Sequence, residues 1–127
     1  MTTPTTPREL LRWQWQGYAR YHQSAGNLRL HIVAVPLFIA GNVLFLAGIL
    51  RLAPQLAALG LLVSIASFAA QGVGHKREVV PSEPFASAGQ AILRVLFEQW
   101  ITFPRFVFSG GWSRNLRAAR GRAALAG

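Results

Sequence analysis

The chain has no cysteine and no aspartate, only three histidines, and just four carboxylate side chains, Glu9, Glu78, Glu83 and Glu98. Without cysteine there is no disulfide, no thiolate metal site and no thiol nucleophile. Without aspartate, the acids, bases and oxygen ligands reduce to those four glutamates. No unit recurs at a period of roughly 20 to 50 residues, which excludes a repeat architecture, and 127 residues make one domain. Acidic charge is so scarce that the formal net charge is +9. The basic residues nevertheless sit at the ends of apolar segments and in the tail (Arg114, Arg117, Arg120, Arg122), with no aromatic-interleaved RNA motif or helix-turn-helix pattern. Nucleic acid is therefore not an expected partner, whereas anionic membrane lipid facing a juxtamembrane polybasic stretch is.

What the chain does have is long apolar runs. Residues 30–50 carry no formal charge over 21 positions, between Arg29 and Arg51, and residues 52–74 carry none over 23. A hydrocarbon core of ~30 Å takes about 20 helical residues, so each run is long enough to span. The link around Leu52-Ala53-Pro54 is short, which makes the two helices antiparallel neighbours. It holds one arginine, while the outer flanks hold nearly all the others, so the positive-inside rule puts both ends on the cytoplasmic side of the inner membrane.

Residues 1–6 are polar and expected to be disordered. Thr6, Pro7 and Glu9 then read as a capping box with proline at the first helical position, opening an interfacial helix over 7–23. Trp13 and Trp15, with Trp112 near the other end, suit a membrane-water interface, and no apolar h-region precedes them, so no cleavable signal peptide is expected. Leu11, Trp15, Tyr18 and His22 share one helical face; Ser24-Ala25-Gly26-Asn27 then breaks the pattern, with Asn27 as cap of the first membrane helix, 28–51. The second membrane helix is 53–74. A third helical region, 85–109, has an apolar stripe and a polar one (Gln90, Arg94, Glu98, Thr102), with Arg94 and Glu98 spaced for an ion pair on its face and Pro104 expected to bend or end it. A basic tail covers 110–127. The fold class is thus all-α: an integral membrane helical bundle of an antiparallel hairpin, an N-terminal interfacial helix and a C-terminal amphipathic or membrane-embedded region.

The histidines fall where such a hairpin would gather them. His31 lies in the first turn or so of the first membrane helix and His75 just past the last turn of the second, so both belong at one membrane level. His22 and His31, nine residues apart, would face opposite ways on one unbroken helix at 3.6 residues per turn, and the break at 24–27 is what lets them converge. Three neutral imidazoles form a metal-binding set suited to iron, zinc, copper or nickel, with Glu78, one turn after His75, as a fourth ligand or outer hydrogen-bond acceptor. The competing reading is three interfacial side chains that cap helix ends or reach headgroups in a small membrane scaffold.

Tyr21-His22, Asn27, His31 and Pro36 fit a pattern Y-H-x4-N-x3-H-x4-P, and Gln71, Gly74 and His75, followed by Glu78 and Pro81, fit a second block. Together these blocks resemble the 2-hydroxy-fatty-acid dioxygenase family, and residues 98–106, EQWITFPRF, look like its short bacterial-type branch. The resemblance implies a membrane enzyme that uses ferrous iron and dioxygen to shorten a 2-hydroxy fatty acid by one carbon, with His22, His31 and His75 as metal ligands and Glu78 as a catalytic candidate. Tyr21, Asn27, Arg29 and Arg77 are candidates for binding substrate, the two arginines through its carboxylate or, alternatively, holding lipid phosphate, while Ile32, Val33 and Leu37 would meet the acyl tail. A three-histidine zinc hydrolase is the alternative within metalloenzymes, and haem ligation by two of the histidines a further one.

Overall fold

A computed structural model describes residues 4–127; the first three residues of the expected disordered start lie outside the described residues. Among the described residues every regular element is helical. α1 (Pro7–Tyr18) opens on the expected capping box, in which the Thr6 hydroxyl accepts from Glu9 N and the Glu9 carboxylate accepts from Thr6 N. Glu9 also accepts from the Thr5 backbone and hydroxyl, so residues 5 and 6 are tied to the helix rather than loose. A 3-10 turn, Ala19–Tyr21, follows, and His22 leaves helical geometry at φ −133°, ψ 69°. Chain direction changes here, before α2 (Ala25–Leu50) begins. The cap of α2 is Ser24, whose hydroxyl accepts from Asn27 N, and not Asn27 itself. Asn27 instead turns its amide inward from the first turn.

α2 and α3 (Pro54–His75) form the antiparallel hairpin. The turn between them is tight enough to hold Leu52 at φ +53°, a left-handed conformation that side chains with a Cβ rarely adopt. The facing surface of α3 is a row of small or polar residues at steps of three and four: Ala57, Gly60, Ser64, Ser67, Gln71 and Gly74. A Cβ on Gly60 would run into the Phe45 backbone nitrogen, and one on Gly48 into that of Ala57, so the helices touch backbone to backbone. Small-residue contact of this kind packs helices where water supplies no driving force. The outward faces carry the large apolar side chains, with Val33, Val43, Leu62 and Ile65 all more than half exposed. Only 28% of the most apolar window of either helix is buried, and both helices are long and apolar enough to cross a membrane.

α4 (Ala88–Phe97), a π-helical turn (Glu98–Thr102) and α5 (Phe103–Phe108) run on as one helix. Pro104 was expected to end or bend it; the helix continues because the wide turn precedes the proline, with Phe103 N donating to the Glu98 carbonyl five residues back. A π-turn carries one extra residue and rotates the side chains around it. Gly110, at φ +84°, then reverses the chain into α6 (Gly111–Ala126), so the basic tail is a full helix. α6 packs beneath the start of α2: Trp112 Nε1 donates to Leu28 O at 2.8 Å, and Leu116 joins Tyr18, Leu28, Val35, Phe103 and Phe106 in the core. That core sits at the open end of the hairpin, where the three histidines also lie.

Candidate metal centre

Each histidine is placed by a different kind of local structure. His22 is the first residue after the 3-10 turn, stacked on the Tyr18 ring at 4.0 Å, and its carbonyl accepts from Asn115 of α6 at 2.7 Å. His31 is in the second turn of α2 and wholly buried, and His75 ends α3. The three ring centroids are 5.0, 4.8 and 4.9 Å apart, each pair nearly perpendicular. The convergence expected from the hairpin and the break is therefore present.

The orientation of the rings is more telling than their distance. His22 Nδ1 lies 2.9 Å from Tyr18 O and His31 Nδ1 lies 3.0 Å from Asn27 O. A carbonyl only accepts, so both Nδ1 atoms carry the proton and both Nε2 atoms present a bare lone pair. Those two Nε2 atoms are buried and have no hydrogen-bond partner. Leaving a buried polar atom unpaired costs ~1–3 kcal/mol, and two such atoms aimed at one point call for a shared occupant. His75 makes its Nδ1 contact to Ser82 Oγ at 3.3 Å.

The fourth member is Glu98, from the π-turn. Its Oε1 is 3.5 Å from His22 Nε2 and 3.9 Å from His31 Nε2, and it accepts from the Tyr18 hydroxyl at 3.0 Å. Burial acts to raise the Glu98 carboxyl; the facing His22, His31 and His75 rings, when they carry a second proton, outweigh it and hold it at about 2, and a cation bound at the bare nitrogens would keep this oxygen anionic in the same way. Burial, and then the Glu98 charge, raises the Tyr18 phenol well above its ordinary value, which keeps it a neutral donor. One donor atom from each of His22, His31, His75 and Glu98 lies within 4.8 Å of the other three. Donors at ~2.0–2.2 Å from one ion stand roughly 3–3.5 Å apart, so a small inward movement suffices and the set fits a divalent metal.

Glu78 is not the carboxylate at the rings. It accepts from the Gln23 and Ser24 amides at 3.0–3.1 Å and from Asn27 Nδ2 at 2.7 Å, closing the N-terminus of α2 with a negative charge. It thereby ties the chain after His75 to the chain beside His22 and to the residue whose carbonyl orients His31. Glu98 was read as the ion-pair partner of Arg94, which instead donates to Glu83 O and Pro84 O and lies over the rings of Phe85 and Trp13 at 4.4 and 5.0 Å. The available signal was subtractive. Of the four carboxylates Glu9 caps a helix, and Glu98 stands alone in an otherwise uncharged stretch shortly before a helix-interior proline.

A cavity of about 230 Å³ adjoins the cluster, lined by Tyr18, Tyr21, His22, His75, Arg94 and Glu98 among others. Tyr21 thus reaches the site, its hydroxyl donating to Glu83 at 3.0 Å. Arg29 and Arg77 do not line it: both are exposed, with Arg77 lying across Gly26. Asn27 is fully buried between Glu78 and Gly74, where a Cβ on the glycine would strike its Oδ1. The arginine facing the cavity is Arg94. No family model, curated protein or solved structure matches this chain.

Proposed function

We propose that the protein is a membrane-embedded oxygenase of the 2-hydroxy-fatty-acid dioxygenase type, in which His22, His31, His75 and Glu98 hold one ferrous ion. The observation that supports a metal most directly is the pair of buried Nε2 atoms, oriented by backbone carbonyls, without a hydrogen-bond partner and facing the Glu98 carboxylate at 3.5 and 3.9 Å. The motif blocks around the same histidines support the substrate and the choice of iron. Lysine and arginine concentrate at the open end of the hairpin, which argues for a centre at the cytoplasmic face of the inner membrane with both termini on that side.

Iron, when bound, supplies open coordination positions at which a hydroxy acid and dioxygen can meet. The residues of the chain do the rest. Arg94 has two of its five N–H groups engaged by loop carbonyls, leaving others free to grip the substrate carboxylate as a charge-assisted pair. Tyr18 holds Glu98 in place, and Asn115 and Glu78 hold the backbone on either side of His22. Trp13 and Phe85 line the cavity with aromatic surface. In the overall conversion a 2-hydroxy acid and dioxygen give the acid one carbon shorter, carbon dioxide and water; the substrate supplies every electron, so no outside reductant is needed.

The test is metal analysis of detergent-purified protein after anaerobic ferrous reconstitution, together with oxygen uptake on adding 2-hydroxy acids. The expected result is close to one iron per chain and uptake that depends on both iron and acid. Bound zinc with no uptake would point to a hydrolytic or structural zinc site and overturn the oxygenase. No bound metal of any kind would leave a scaffold.

A further inference from the structure

A second hollow lies beside the first: an apolar groove of about 680 Å³, walled by Phe38, Phe45, Leu61, Ile65, Ala91 and Ile92. It is about three times the volume of the chamber beside the rings. Phe68, Phe85 and Val95 line both hollows, so groove and chamber meet at these side chains. The polar residues on the groove wall are already engaged with each other: Asn42 Nδ2 donates to Ser64 Oγ at 2.8 Å, and Trp100 Nε1 donates to Asn42 Oδ1 at 3.2 Å. The wall therefore presents an occupant with an almost wholly apolar surface. Ile65 and Ile92 are 58% and 63% exposed, so the groove is open along the flank that faces the hydrocarbon.

A compact chamber with His22, His75, Arg94 and Glu98 on its wall that continues into an apolar trough has the shape of a single-chain amphiphile. We infer that the groove holds the hydrocarbon tail of a ligand whose polar head lies in the chamber beside His22, His75, Arg94 and Glu98, and that this ligand enters sideways from the bilayer. Ile32, Val33 and Leu37, the residues expected to meet the tail, line neither hollow. The inference rests on the proposed function only for the chemistry of the head.

The test uses the full chain in nanodiscs, a saturated fatty acid carrying a mid-chain diazirine, photolysis and peptide mapping. Adducts are expected on residues 61–68 and 85–96. Ala91→Trp or Ile65→Trp, each of which fills the groove, should cut them at least tenfold, and Val43→Trp on the outward face should not. Competing unlabelled acids should gain about fourfold in potency per added methylene until the groove is full. Adducts spread over Val33 and Leu37, or unchanged in both groove variants, would overturn the inference. So would equal labelling by a diazirine phosphatidylcholine, which would make the occupant a bulk lipid chain. Labelling needs neither metal nor turnover, so a labelled groove without oxygen uptake would sink the proposed reaction and leave the groove standing.

Discussion

Replacing His31 with phenylalanine separates a metal ligand from a structural histidine, because the two roles predict opposite effects of added metal. In the metal-free protein His31 Nε2 is buried without a partner, which costs ~1–3 kcal/mol. His31→Phe removes that atom, keeps a somewhat larger aromatic ring near Phe103, and gives up the 3.0 Å bond from Nδ1 to Asn27 O, worth ~0.5–1.5 kcal/mol net. The metal-free variant should thus fall between about 0.5 kcal/mol less stable and about 2.5 kcal/mol more stable than its parent. With metal the order reverses. An ion present at a thousandfold its dissociation constant adds ~4 kcal/mol to the parent, while the variant, left with three donors, gains much less. Metal content after anaerobic reconstitution, and unfolding followed by tryptophan fluorescence with ferrous iron or with chelator, read both effects. A metal-free variant destabilised by more than about 3 kcal/mol would mean that the imidazole is already satisfied within the protein, and the case for a metal would fail.

Glu98→Gln keeps the shape and an acceptor for Tyr18 but loses the anionic oxygen, so iron affinity measured by equilibrium dialysis should drop at least ten- to a hundredfold, the loss typical even for an outer partner of a ligand. Glu78→Gln weakens the cap of α2 and should lower stability by ~1–3 kcal/mol, with folded protein still binding one metal; loss of the metal from folded protein would instead make Glu78 a ligand. Gln71→Leu or Gln99→Leu alone strands half of a buried reciprocal amide pair, at 2.8 and 2.7 Å, and should cost ~1–3 kcal/mol, whereas the double change should be near neutral; an additive double variant would refute the pairing. Gly60→Ala pushes a methyl group into the backbone of α2 and should destabilise the hairpin by about 1–3 kcal/mol, seen as a lower unfolding midpoint in the same detergent.

The hairpin was legible from the chain because it follows from length and local chemistry: two uncharged runs of spanning length, a short link at Leu52-Ala53-Pro54, and the Thr6-Pro7-Glu9 start of α1. The approach of His22, His31 and His75 was legible for the same reason, since an antiparallel pair of known length returns to its starting level. The cap of α2 was misplaced by three residues, at Asn27 rather than Ser24, because both residue types serve equally well and only the competing partner Glu78 decides between them. Pro104 does not end its helix, although a proline inside a helix ordinarily breaks it, because a π-turn absorbs the missing bond, and such a turn leaves no mark in periodicity.

What the sequence determined by itself is therefore the set of elements and the level at which the imidazoles meet, both consequences of near-neighbour geometry and hydrophobic length. Tertiary structure alone decided that Glu98 and not Glu78 faces the rings, that Arg94 and not Arg29 or Arg77 faces the cavity, and that both Nε2 atoms are bare. Those outcomes depend on the rotation of one helix about its axis against another. A single extra residue in the π-turn turns that face by roughly 100°, a change no spacing rule for a regular helix can carry.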